Sequence, residues 1–301
     1  MKTWSTPVAP QRANCIPCAL CGGGRFRPCL FCGGFSYVKC LSCGLVQINP
    51  QPEAEEVRRR YGEAYGEDYL AYELANEAAY LRLQELALRD AGFYGLEQEL
   101  LKRGPPGQGR QEQGPGKETG PSVLDIGCAT GALLARLKGR GWRAFGVEIS
   151  APQAEYARRE RKLEISTEPL EANHFPGESF DAVLASHLIE HLNRPEILVQ
   201  EARRILKENG RFFVTTPNIA GFQSRLFRGK WRSAIFDHLY LFSVKTLPAL
   251  LARNGFRLES LVTWGGLAAG IAPPPLKKIA DRAAKCFGFG DVMIARAAKA
   301  G

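Results

Sequence analysis

Two groups of residues in this 301-residue chain have types and spacing that could do chemistry. The first is Val123-Leu124-Asp125-Ile126-Gly127-Cys128-Ala129-Thr130-Gly131, an apolar run that reads as a strand closed by an acid and a turn of small residues. Gly127, Ala129 and Gly131 let the backbone pass close to a ligand, and a helix starting at Ala132 would aim its free N–H groups at the turn. A pyrophosphate-binding turn would read G-x-G-x-x-G, without an acid that repels phosphate. Asp125 suits a cation instead. Downstream, Ala144-Phe145-Gly146-Val147-Glu148-Ile149-Ser150 is a second apolar strand ending in an acid, at the spacing of a βαβ unit whose carboxylate holds two ribose hydroxyls.

The second group is cysteine. Seven of the nine cysteines fall between Cys15 and Cys43, and only Cys128 and Cys286 lie elsewhere. C-x-x-C pairs in an intracellular chain argue for metal over disulfide. Cys18-x-x-Cys21 and Cys40-x-x-Cys43 are separated by eighteen residues, inside the zinc-ribbon window, and each pair is followed by glycine, which permits the tight knuckle. Four thiolates on one zinc ion would fold a segment too poor in apolar material to fold alone. Cys15-x-x-Cys18 and Cys29-x-x-Cys32 also have ligand spacing, so Cys29 and Cys32 could replace one pair; otherwise Cys15, Cys29 and Cys32 are free thiols on loops.

These groups need elements to position them. Strands are expected near Ser122–Ile126, Arg143–Glu148, Leu163–Thr167, Phe180–Ser186, Arg211–Thr216, Phe256–Trp264 and Asp291–Ala295, alternating with helices. That is an α/β fold with a doubly wound, seven-stranded, mostly parallel sheet. Ser243 and Asn254-Gly255 bracket a helix over Val244–Arg253, which Pro248 is expected to kink. Before the sheet, Pro52-Glu53 opens a short helix that ends at Arg58 to Arg60. A longer one from Asp68 to Asp90 carries Leu70, Leu74, Ala78, Leu81 and Leu88 on an apolar face, interleaved with Tyr61, Tyr65, Tyr69, Tyr72 and Tyr80. Arg103 to Pro121, with six glycines and four prolines, reads as a flexible insertion. The division is therefore 1–52 ribbon, 53–102 helical cap, 103–121 linker and 122–301 catalytic domain.

The net charge of +9 is uneven. Residues 1–52 carry Lys2, Arg12, Arg25, Arg27 and Lys39 and no acid, while Gly221 to Arg257 holds Arg225, Arg228, Lys230, Arg232, Lys245, Arg253 and Arg257 against Asp237 alone. An anionic partner, either a phosphorylated or nucleotide-linked sugar or a nucleic acid, is one reading; a solvated basic face is the other. Neither the N-terminus nor the proline-rich 265–275 stretch can cross a bilayer, so the expected compartment is the cytoplasm and no membrane partner is expected.

The ordered motifs resemble the class I S-adenosylmethionine-dependent methyltransferases. The likeness runs from the two acid-ended strands through Glu178–Val183, His187–Leu192 and Leu206–Phe212 to Thr216-Pro217-Asn218, over roughly residues 120 to 265. Departures are Ala129 at a usual glycine and Glu168 before the Leu170-Glu171 pair. The resemblance implies S-adenosylmethionine as cofactor, a sulfonium carrying an ammonium group. It places Asp125 near the methionine end, Gly127, Cys128, Ala129 and Gly131 along the backbone approach, Glu148 and Ile149 at the ribose, Leu170 and Glu171 at the adenine, and Ser186 nearby. Relatives with an N-terminal ribbon show C-x-x-C-G-L-V-x-x-N-P, matching Cys40 to Pro50, which implies that Cys18, Cys21, Cys40 and Cys43 hold structural zinc.

His187-Leu188-Ile189-Glu190-His191 also matches the inverted zinc-protease signature H-x-x-E-H, but a protease sets both histidines on one helix, whereas His187 ends an apolar strand. The resemblance implies that His187 lies on the active-site floor, with Glu190 and His191 serving packing and capping. Asp237-His238-Leu239-Tyr240-Leu241-Phe242-Ser243 resembles a segment of the same ribbon-bearing relatives, making His238 a second candidate base or a packing residue. The expected activity is methyl transfer to an O, N or C nucleophile of a small anionic or saccharide-type substrate. Alternatives are an rRNA or tRNA methyltransferase whose ribbon binds nucleic acid, and a non-catalytic zinc-ribbon protein that senses the cofactor.

Overall fold

The computed structural model describes residues 13–32, 34–57, 59, 67–103, 120–265, 282, 284–285 and 287–300. The expected linker at 103–121 lies almost wholly outside these, as do Arg58, Arg60, Tyr61, Tyr65 and Cys286. At the N-terminus, β1 (Ala13–Asn14) pairs with β5 (Gln51–Pro52), enclosing an antiparallel meander of β2 (Phe26–Cys32), β3 (Phe35–Cys40) and β4 (Val46–Ile48). The expected loop position of Cys29 and Cys32 is corrected: both lie in β2, where Pro28 and a bulge between Pro28 and Leu30 interrupt an edge strand.

Two helices follow, Glu67–Asp90 and Phe93–Arg103. On the first, Ala87 and Leu88 are buried, Leu70, Leu74 and Leu81 are half-buried and Ala78 is exposed, so the expected apolar face is fully covered only at its C-terminal end. The second is fixed by Phe93, which stacks on Trp142 with ring centroids 5.2 Å apart and meets Phe213 edge-on. Buried Glu97 accepts a hydrogen bond from Trp142 Nε1 at 2.8 Å and pairs with Arg140, so the carboxylate is not left bare in the core.

The main sheet contains β6 (Ser122–Ile126), β7 (Arg143–Val147), β8 (Glu164–Ser166), β9 (Phe180–Ser186), β10 (Leu206–Pro217), β12 (Phe256–Trp264) and β13 (Val292–Lys299), while the two-residue β11 (Tyr240–Leu241) lies apart. Its order is β12-β13-β10-β9-β6-β7-β8, with β13 antiparallel to both neighbours. Side chains alternate: Leu124, Ile126 and Val183 enter the core shared with the N-terminal sheet, and Val123, Ala182 and Leu184 enter the core under the helices. Truncating a residue such as Leu124, fully buried, would cost about 2–5 kcal/mol. Chain order reverses between β6 and β9, so a ligand crevice is expected at the carboxyl ends of these strands.

β11 does not join the main sheet. It pairs with β4 and completes a four-stranded sheet with the N-terminal segment, and Ile48 N–H donates to Leu239 O at 2.9 Å. The buried Tyr37 hydroxyl, on β3, is shared between the carbonyls of Ile235 and His238 at 2.7 and 2.8 Å. Residues 13–52 are thus built into the catalytic fold through the 235–241 segment. The helix at Thr246–Arg253 is continuous; Pro248 sits in its first turn, where a missing N–H costs nothing, and Ser243 Oγ accepts the N–H groups of Lys245 and Thr246.

Candidate active site

At the carboxyl end of β6 the chain turns through Gly127, Ala129 and Gly131, all with left-handed φ of 74°, 52° and 74°. Gly131 is required twice over: its φ is positive, and a Cβ there would lie 2.6 Å from Leu163. Ala129 adopts a left-handed φ that glycine takes more readily, which gives its departure from the usual glycine a structural cost. One N–H from the turn and one from the start of the next helix hold an acid: Ala129 N–H donates to Glu148 Oε2 at 2.9 Å, and Ser150 N–H to Oε1 at 2.8 Å. Burial raises the Glu148 pKa, and these two bonds oppose it.

Asp125 is 2 % exposed, and burial, then the charge of Glu148, pushes its carboxyl up to about 8. A third acid comes from the 67–90 helix. Burial and Glu148 bring Glu73 up to about 7, while Glu77 accepts Thr130 Oγ1 at 2.9 Å and pairs with Arg161 at 2.5 Å. Tyr72 and Tyr80 on this helix are exposed and bond each other at 3.3 Å, and the helix reaches the turn through carboxylates. The signal that could have found them is Glu73 and Glu77 at i, i+4 on one face.

Other expected residues divide. Cys128 lends only its backbone, because its thiol lies in the core where a Cβ on Gly146 would touch it at 2.6 Å. Ile149 is half-exposed beside Glu148; Leu170 is buried, opening a 3-10 turn that leaves Glu171 exposed. Ser186 ends β9, and the chain then reverses at His187 with φ 52°, its N–H donating to Thr215 O. Leu188 packs on Gly127, which sets His187 next to the glycine turn.

Glu190 and His191, expected to serve packing and capping, are both buried in the 189–191 turn. Glu190 is fully buried, accepts Thr216 Oγ1 at 3.0 Å and lies 3.3 Å from His187 Nδ1. Burial opposes its ionisation, but the His187 hydrogen bond and nearby imidazoles outweigh this and hold the carboxyl at about 2. His191 and His238 meet edge-on at 4.6 Å, and burial lowers both pKa values, His191 to about 3. His238 Nδ1 is 2.8 Å from Ser233 O, so it carries the proton and Nε2 keeps its lone pair. The ligand atoms of Glu190, His191 and His238 lie within 4.8 Å of one another, a donor set that could hold a divalent ion.

The thiols of Cys18, Cys21, Cys40 and Cys43 also lie within 4.8 Å, with Cys18–Cys43 and Cys21–Cys40 at 3.4 and 3.5 Å. A tetrahedron with 2.3 Å zinc–sulfur bonds has edges of about 3.8 Å, so this set fits the ion. The knuckles match: Gly22 N–H donates to Cys18 O and Gly44 N–H to Cys40 O. Burial opposes ionisation of Cys40, but N–H groups of Cys43 and Ser42 and the neighbouring sulfurs bring it to about 6. Cys15 and Cys29 are exposed and outside this cluster.

Residues 98–261 match the family described as "Methyltransferase domain", which is more than half of the chain. The chain belongs to this family. It is 32 % identical over 117 residues to the mitochondrial ubiquinone biosynthesis O-methyltransferase of Rattus norvegicus, covering 35 % of this chain and 33 % of that one. A ubiquinone biosynthesis O-methyltransferase from Glaesserella parasuis is 29 % identical over 109 residues, 33 % of this chain and 46 % of the other. The chain thus spans about a third to a half of the length of these relatives. Solved structures of S-adenosylmethionine-dependent methyltransferases from Thermotoga maritima and Archaeoglobus fulgidus share 24 % and 21 % identity, with TM-scores of 0.48 and 0.46. They cover 77 % and 60 % of this chain and 99 % and 86 % of their own. No helix among the described residues is long and apolar enough to cross a membrane.

Proposed function

We propose that the protein moves the methyl group of S-adenosylmethionine to a nucleophile of a small anionic acceptor, with oxygen the favoured atom. The observation that carries the cofactor half is the acid pair Asp125 and Glu148, buried beside a turn whose N–H groups fix Glu148. Oxygen is supported by the O-methyltransferase names of the matched relatives. A small anion is supported by cations drawn from both the ribbon and the segment after β10. Asp125 would face the cationic methionine end, Glu148 would accept the ribose hydroxyls, and Leu170 with Glu171 would border the adenine.

The bound cofactor supplies a methyl already activated by its sulfonium, so the protein's work is alignment and proton removal. His187 takes the acceptor's proton as the carbon–oxygen bond forms, and Glu190, near its Nδ1, stabilises the imidazolium. His238, buried and neutral, positions His191 and Glu190. Cys18, Cys21, Cys40 and Cys43 would hold zinc, which would fix the segment that backs residues 235–241. Four thiols at metal spacing suit a reducing compartment such as the cytoplasm. A nucleic-acid acceptor is the second reading, favoured by exposed Phe31 among the ribbon cations.

The test is transfer of labelled methyl into a host-cell extract, with and without nuclease, using Glu148→Ala as control. Label that resists nuclease and runs with small anionic metabolites supports the proposal. Label lost to nuclease supports the second reading, and wild-type transfer no greater than that of Glu148→Ala overturns both.

A further inference from the structure

Between the ribbon sheet and the segment after β10 lies a cleft of about 790 Å3. Arg27 and Lys39 from the ribbon and Arg225, Arg228 and Lys245 from the catalytic fold line it, and among the described residues no carboxylate does. Other basic residues of the same segment are spent on structure: Arg232 pairs with Asp291 and Arg257 with Glu259. The five in the cleft have no acidic partner among the described residues.

Two local costs and one close approach converge there. Arg27 and Lys39 stand directly opposite each other in the β2–β3 register, where like charges destabilise the pairing. Arg228 holds φ 47° and ψ −121°, a strained backbone for a residue with a Cβ. Gly229 is pressed on β2 so closely that a Cβ would lie 2.3 Å from Phe31 O, which fixes the 228–230 turn against the ribbon. A bound polyanion would offset the first cost and use the rigidity that the other two impose.

The rest of the cleft is apolar. Ile219 and Val244 line it, and Phe287 and Phe289, 70 % and 45 % exposed, stack at 6.4 Å with Arg225 over Phe289 at 5.4 Å. The volume is that of a site for a small organic ligand, larger than a lone phosphate needs. Ile219 lies just past β10, the strand beside β9, whose last residue Ser186 precedes His187. We propose that this cleft binds a diphosphate ester whose organic part is aromatic or aliphatic, holding the anionic end of the acceptor. The inference rests on the small-anion reading above.

Uridine diphosphate, farnesyl diphosphate and inorganic pyrophosphate are titrated into the full zinc-replete chain saturated with S-adenosylmethionine. At least one ester should bind about tenfold tighter than pyrophosphate or better, the tighter ester identifying a nucleotide or a lipid source. Lys39→Gln and Arg228→Gln should each weaken it by about fivefold or more while cofactor affinity stays within about twofold. The proposal is overturned if neither ester exceeds pyrophosphate, if both variants bind unchanged, or if single-stranded RNA binds and neither ester displaces it. Wild-type protein that binds no cofactor in the same samples would instead overturn the methyltransferase mechanism.

Discussion

In the region proposed for the cofactor, Ala129 and Glu148 lie 19 residues apart and are joined by one hydrogen bond; in the region proposed for the acceptor, Tyr37 reaches the His238 carbonyl across 201 residues. The first region is made by one βαβ unit and its turn. The second is made by the ribbon, the 187–191 turn and the 235–241 segment, each incomplete alone. A cofactor common to many methyltransferases can be held by a local unit, whereas an acceptor site is assembled from distant segments that vary independently.

Losing zinc should give the largest effect. Structural zinc is worth about 10–16 kcal/mol in small domains, so Cys40→Ser should abolish methyl transfer and lower the melting temperature, as calorimetry would show. If transfer survives, the ribbon does not build the acceptor side. Next, His187→Gln should lower the transfer rate by about 10²–10⁴-fold with cofactor affinity unchanged, measured by single turnover. Removing the acid proposed to accept two ribose hydroxyls, Glu148→Ala should weaken cofactor binding by roughly 10²-fold, from about 1.5–3 kcal/mol per charged hydrogen bond.

Protons separate the regions too. Asp125 has a folded pKa raised to about 8, so its contribution to apo stability is full below the ordinary carboxylate range and is lost as pH rises through about 8; Glu73, at about 7, adds to the same trend. A cationic cofactor favours the ionised carboxylate. Cofactor affinity should therefore rise with pH up to about 8, by at most about tenfold per unit for each proton released, and Asp125→Asn should flatten the slope in a pH series of titrations. The smallest effect is expected from Tyr37→Phe, which removes one buried hydrogen bond and should cost about 1–2 kcal/mol of stability in denaturant melts without changing cofactor affinity.

Legibility in the sequence follows the same divide. β6, β9 and β12 have the bounds expected from alternation and punctuation, and the metal cysteines were visible as spaced pairs with glycine. The union of β4 with β11 was not legible, because neither two nor three residues carry a pairing signal. Glu190 looked like part of a packing motif, since its partners Thr216 and His238 come from other segments. Beyond its i, i+4 spacing from Glu77, nothing in the local sequence marks Glu73, because the fold alone brings that helix to the glycine turn.

The most direct test is to titrate S-adenosylmethionine and follow a single turnover on the same preparations of wild type, Glu148→Ala and His187→Gln. The account predicts lost cofactor affinity in Glu148→Ala alone and lost transfer at full cofactor occupancy in His187→Gln. Unchanged affinity in Glu148→Ala, or parallel loss of affinity in both variants, would contradict it.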